Sequence, residues 1–336
     1  MKRLVFRSRH RDDGQILVLF ALSAIAIMAA VGLVLDGGGA FAQRRAEQNG
    51  ADLASLAGAN AYMNTSGDHV VRSAAAIGAA NAAATRNGWT DGADDTTVQV
   101  TVDLLKSGAK VKVDILRPHN NSFSSIIPGQ SQWDVSATAT SIAGTIDTAV
   151  GAAPWTMSID AFNPDGSPKY TSSNPHDFNE TNNDYPVNAT DISWTDFNGF
   201  NNVNAEEVKE IVRGDRVITA TFAFDQYLGQ HNNGNMTTVY PVVDANLAGT
   251  TIPIPIVGPG PCDPNGQVDG CFKGWAMFHV VSATGGSSKV INGYFTGDFK
   301  RKPLTVGECT PEQLAADQCG EIQDSPFDNK TVRLSE

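Results

Sequence analysis

The residues best equipped for chemistry in this 336-residue chain are six histidines, four cysteines and 36 acidic side chains, and their spacing decides what they can do. His10, His69, His119, His176, His231 and His279 are scattered, none in an H-E-x-x-H helix or beside a second ligand at helical spacing. His279 stands between Phe278 and Val280 in an apolar run and reads as a structural histidine rather than a base. No G-x-S-x-G elbow, P-loop or dinucleotide fingerprint occurs. The chain is therefore expected to be no enzyme and to need no cofactor; an extracytoplasmic hydrolase has no site to nominate.

Cys262, Cys271, Cys309 and Cys319 fall into two close pairs. In an oxidising compartment an even count at short spacing reads as disulfides, and although four cysteines allow three connectivities, spacing favours Cys262 with Cys271 and Cys309 with Cys319. A zinc site would need C-x(2–4)-C spacing and nearby histidines, and both are missing. The stretch from Asn163 to Asn188, with Asn163-Pro164-Asp165-Gly166 and Asn182-Asn183-Asp184, has acids and amides of the kind that ligate calcium. It lacks a D-x-D-x-D-G loop, so it reads as an extended, solvated turn region with no metal.

Lysine and arginine total 24 against 36 acids, a net charge of -12. That balance leaves no basic face for phosphates, so nucleic acid is not an expected partner, and it suits solubility outside the cytoplasm.

Ile16 to Leu35, ILVLFALSAIAIMAAVGLVL, is an uncharged and almost wholly apolar run. At about 1.5 Å per residue it reaches roughly 30 Å, the thickness of a bilayer's hydrocarbon core, and so predicts a transmembrane helix. Lys2, Arg3, Arg7, Arg9 and Arg11 precede the run, against Arg44 and Arg45 after it, which keeps the N-terminus in the cytoplasm and sends the bulk outside. No second apolar span follows, so a single pass is expected. The rival is a cleaved signal, with Ala40-Phe41-Ala42 before Gln43 as a small-x-small site and Gly37-Gly38-Gly39 ahead of it. A signal's apolar core is about 7 to 15 residues, shorter than this one.

Beyond the run, Asp68 to Asn87 is alanine-rich, opened by Asp68 as N-cap and closed by Gly88. Thr97–Val102 and Lys110–Ile115 alternate strictly about the turn residues Ser107-Gly108 and predict a β-hairpin, with Asp134–Ser141 as a third strand. A short helix is expected from Asn204, with Glu207 completing a capping box, Val208, Ile211 and Val212 on one face and Gly214 at its end. Further strands are predicted over Val217–Phe224, Thr237–Val243, Gly274–Ser282 and Lys289–Phe299. Ile252 to Pro261, with four prolines, reads as a stiff extended connector or edge.

The order Gly14-Gln15, the apolar span, Asp36, Arg44-Arg45, Gln48-Asn49 and Ala51-Asp52-x-Ala54-x-Leu56-Ala57-Gly58-Ala59 resembles the N-terminal segment of TadE/TadG-like proteins of Flp (Tad) pilus assembly, over Asp12 to about Ala59. WTDFNGFNNVNAEEVKEIVRGD is also similar to a recurring exported stretch of that family. The resemblance implies a single-pass protein of the bacterial cytoplasmic membrane, a non-enzymatic structural or assembly component of a pilus or related secretion apparatus. Its implied partners are other pilus-assembly or pilin-like proteins and the lipid bilayer.

Longer TadG relatives carry a von Willebrand factor A domain with a D-x-S-x-S motif; Asp165-Gly166-Ser167-Pro168-Lys169 starts that pattern and departs at its last position, so no such domain is expected. Gly14 precedes the run as a prepilin cleavage glycine does, but Leu19 stands where such substrates carry glutamate, which argues against that processing. The small-residue face of Ala51, Ala54, Leu56, Ala57, Ala59 and Ala61 suits either an assembly interface or close packing within the molecule. The triple glycine departs from a continuous family helix and suggests a hinge.

The expected fold class is α+β. A basic cytoplasmic segment (1–15) leads into the transmembrane helix (16–35). A pilin-like helix with a small antiparallel sheet follows (36–150), then a mostly-β extracytoplasmic domain (151–302) and a cysteine-containing tail (303–336). The alternative function is a secreted or tethered adhesion module that binds protein or carbohydrate.

Overall fold

The computed structural model describes residues 13–126, 128–181, 183, 185–197, 203–228, 231, 236–260, 262, 270–296, 304–322 and 330–335. The basic N-terminal residues, His10, Asp12, Asn182, Asp184, 198–202, Pro261 and 297–303 lie outside the described residues. The chain forms two compact units. The first comprises the chain up to Ala57 with Gly78–Thr101 and Lys112–Thr140, and the second comprises Gly58–Ile77, Val102–Val111 and Ser141–Glu336.

The long helix α1 spans Asp13–Asn64 without interruption. Each glycine inside a helix costs about 1 kcal/mol relative to alanine, yet Gly37, Gly38 and Gly39 are helical and no hinge forms. Asp36 before the triplet accepts the amides of Ser122 and Ser124, and Gln43 after it donates to the Arg117 carbonyl, which offsets that weakness. Helix α2, His69–Arg86, starts where the Asp68 carboxylate accepts the amide of Val71 at 2.9 Å. Strands β1 (Thr97–Leu105) and β2 (Gly108–Asn120) make the expected hairpin, and β3 (Gln132–Thr145) lies beside β2. Ala51 and Ala54 of α1, Ala80, Ala83 and Ala84 of α2, and Trp89, Val98, Val113, Ile115 and Ala139 form the core of the first unit. Alanines let the helices come close to the sheet, and a single tryptophan fills the remaining space. A Cβ added at Gly50 would lie 2.4 Å from the Trp89 ring, so only glycine fits there.

The second unit contains β4 (Thr148–Val150), β5 (Trp155–Ser158), β6 (His176–Glu180), β7 (Asp191–Trp194), α3 (Ala205–Arg213), β8 (Thr219–Thr221), α4 (Tyr240–Leu247), β9 (Thr251–Gly258), β10 (Cys271–Thr284), β11 (Val290–Thr296), β12 (Leu304–Thr305), α5 (Pro311–Ala315) and β13 (Lys330–Leu334). Six of these close a barrel in the order β10-β11-β6-β7-β5-β9. Its interior is aromatic: the rings of Trp155 and Trp194 meet edge-on at 5.5 Å, and Phe178 meets Phe278 and Phe295 at 5.2 and 5.9 Å. Val208 and Val212 of α3 and Tyr240 and Val243 of α4 complete that core. A smaller sheet runs β12-β4-β8, and β13 pairs with the end of β3 from Lys330↔Thr145 to Leu334↔Ser141.

The α+β class holds, with a long apolar helix at the start and a mostly-β remainder, and four local readings are corrected. Thr237–Val243 is not a strand; it leads into α4, where Pro241 sits in the first turn and Tyr240 and Val243, three apart, are both buried. The apolar residues there follow the helical period, and packing against β10 overrides β-branched propensity. Val217–Phe224 contracts to the three residues of β8. The supposed loop before Asn188 contains β6, which pairs with β11 and β7. Ile252–Gly258 is no connector but part of β9, paired antiparallel with β10 and parallel with β5. The Pro253 carbonyl accepts from Ala153 at 2.8 Å, so Pro253 and Pro255, two apart, aim their missing donors away from β10. The ladder to β10 loses no bond.

Candidate assembly helix

The first half of α1 is bare. Between Ile16 and Leu35 its large apolar side chains are exposed, from 52% at Val31 to 72% at Val34. Among the described residues α1 is the one helix long and apolar enough to cross a membrane.

The bare run ends at a clamp. Asp36, 4% exposed, accepts the amide of Ser122 at 2.9 Å on one carboxylate oxygen and those of Phe123 and Ser124 at 3.1 and 2.6 Å on the other. These amides open the 3-10 turn Ser124–Ile126 in the loop between β2 and β3, where free donors face an acceptor of matching charge. One turn earlier on α1, a Cβ at Gly32 would lie 2.6 Å from the Phe123 Cβ, so the loop lies directly on the helix backbone.

A second fixing point follows the glycines. The Gln43 amide donates to the Arg117 carbonyl at 2.7 Å and to buried Glu47 at 2.9 Å, while its oxygen meets His119 Nδ1 at 2.8 Å. The Arg117 guanidinium lies over the Trp89 ring, 4.5 Å from its centroid. Gln48 donates to Asp52 at 2.9 Å and to the Thr138 carbonyl at 3.0 Å. Asn49 is exposed, Asp52, Leu56 and Ala57 are half-buried, and Ala51, Ala54, Gly58 and Ala59 are buried. Ala51 and Ala54 are spent in the molecule's own core, which leaves them unavailable to another chain as the protein stands.

Gln43, Arg117, His119 and Ser122 to Ser124 were not among the expected assembly-helix residues. Their partners lie some 75 to 90 positions from α1, and no local pattern joins them. The available signal was the apolar Phe123 and Ile126-Ile127 set among uncharged polar residues between β2 and β3.

Elsewhere, Cys262 and Cys271, and Cys309 and Cys319, lie at disulfide distance, with Cα separations of 5.2 and 6.1 Å. His279 Nδ1 meets the Thr251 hydroxyl at 3.0 Å and its ring lies against Tyr294. Burial alone pushes His231 down to about 4, so it is neutral at ordinary pH. Asp165 accepts both the hydroxyl and the amide of Ser167, which hold its carboxyl below the usual range and close a turn. Burial raises the Glu180 carboxyl, although the Met236 amide and the Tyr240 hydroxyl donate to it. Among the described residues no three His, Cys, Asp or Glu side chains are grouped to hold a metal ion.

Residues 14–61 match the family model described as "Putative Flp pilus-assembly TadE/G-like". The TadE/G-like segment is thus nearly the whole of α1, taking in the bare run, the Asp36 clamp, the Gln43 and Gln48 contacts and the buried alanines. It supports a role related to pilus assembly. No curated protein and no solved structure matches the chain.

Proposed function

We propose that the protein is a membrane-anchored, non-enzymatic structural component of a Flp-type pilus or related secretion apparatus, crossing the bilayer once through Ile16–Leu35 with its bulk outside the cytoplasm. The observation that carries this reading is α1 itself: one unbroken helix, matched to the TadE/G-like family over 14–61, whose exposed apolar half leads into a half seated on a sheet. The Asp36 clamp speaks against signal cleavage, because cutting after Ala42 would remove the acceptor that holds three amides of the loop. Partner contacts then fall to side chains of α1 that remain outside the core, such as Asn49 and Leu53, the latter 51% exposed.

The test is expression of the full chain in a host that assembles such pili, with a photo-crosslinking amino acid at Leu53 or, in a second variant, at Asn49. The expected result is a full-length product that stays with the membrane after carbonate washing and crosslinks to a pilus-assembly or pilin-like protein. A soluble product starting near Gln43 would overturn the anchor and favour the secreted binding module. A membrane-retained product with no crosslink at Leu53 or Asn49 would overturn the assembly face.

A further inference from the structure

We infer that the loop between β2 and β3 is a second membrane contact, with Phe123 and Ile126 inserted into the boundary between lipid headgroups and acyl chains. The inference rests on α1 being the membrane anchor and adds a surface that the TadE/G-like match, confined to 14–61, does not include.

The loop's position follows from its contacts with α1. Gly32, against which the Phe123 Cβ packs, lies three residues and therefore about 4.5 Å inside the end of the apolar run. Asp36, one residue beyond that end, holds the amides of Ser122, Phe123 and Ser124. A loop fixed at these two heights stands at the level where the helix leaves the hydrocarbon. Side chains that enter a bilayer from the surface reach about 5–10 Å into the headgroup and acyl boundary, which matches this level.

Composition and exposure agree. Phe123 is 48% exposed and Ile126 84%, three residues apart at the start and end of the same short turn. From Asn120 to Trp133 the chain carries no charged residue, in a protein where 18% of residues are charged. An exposed isoleucine in a run without charge suits a loop that enters the hydrocarbon boundary, where a charged side chain is costly. The occupant is lipid because the patch continues directly from the exposed apolar run of α1.

The device also explains Asp36. A carboxylate at the edge of the hydrocarbon is costly unless its charge is met, and three amide donors meet it while fixing the inserted turn.

The test uses the full chain with its native cysteines oxidised, reconstituted in vesicles of phosphatidylethanolamine and phosphatidylglycerol. A nitroxide is placed on a single introduced cysteine: Ile126→Cys, with Ile25→Cys inside the run and Leu53→Cys beyond it as references. The expected result is that the labels at 25 and 126 are open to oxygen and shielded from a water-soluble nickel chelate, with 126 at about 5–10 Å depth, while 53 shows the reverse. Adding Asp36→Ala should return the label at 126 to water and leave 25 shielded. A label at 126 as open to the chelate as 53, with 25 shielded, would overturn the inference and leave the anchor standing. Chelate access at 25 would remove the anchor reading and this inference together.

Discussion

The two units solve the same packing problem with opposite materials. The first has a core of alanines, a few β-branched residues and one tryptophan, so little apolar area is buried per residue and position is fixed by polar contacts to backbone, from Asp36, Gln43 and Gln48. The second buries Trp155, Trp194, Trp275, Phe178, Phe272 and Phe278 completely, and carries all four cysteines. Large rings bring 150–250 Å² each to a core and prefer edge-to-face geometry, which this barrel shows repeatedly. A thin alanine core brings helix and sheet close together; an aromatic core brings stability.

The contrast is broken most directly by Trp194→Ala. Trp194 touches Trp155 and Tyr240 at 5.5 and 5.4 Å and is wholly buried, so the cost should be about 3–5 kcal/mol, read from urea unfolding of the second unit. Reducing Cys262–Cys271, a separation of nine residues, should cost roughly 2–3 kcal/mol in the same assay with no change in the first unit's protease resistance. Ala54→Leu should cost about 1–3 kcal/mol by overpacking the first unit. If instead it left stability unchanged and abolished only association with partners, Ala54 would be an interface residue and its burial in the core would be misleading.

The smallest effect is one of pH. Burial raises the Asp147 carboxyl above its ordinary value, against the Gly307 amide at 2.6 Å and the Thr148 hydroxyl at 2.8 Å that donate to it. The folded state therefore binds this proton more tightly than the unfolded one. The contribution to stability is full below the unfolded value near ~4 and is lost as pH rises through the higher folded value. Asp147→Asn does not titrate, so its stability relative to the parent should improve as pH rises above about 4 and through the folded value. A difference that stays constant across that range in urea midpoints would show that Asp147 does not titrate as its burial requires.

The same contrast explains what could be read in the chain. The apolar run, α2 after Asp68, the β1–β2 hairpin and α3 between Asn204 and Gly214 are local patterns, and all were legible. The cysteine pairing was legible too, because nine and ten residues is a short reach. The barrel was not: β9 with its prolines and β6 within a polar stretch become strands only through partners far along the chain, and α4 takes the helical period over a strand-like composition. At the candidate site, Asp36 was visible as a residue, but its role depends on amides 86 to 88 positions away.

The pairing of Lys330–Leu334 with Ser141–Thr145 sets an order of events. In a chain made from its first residue onward, β3 emerges early and keeps the free edge of this segment until residue 334 has followed. For that interval the edge is open to any other extended strand, and pairing with β13 closes it.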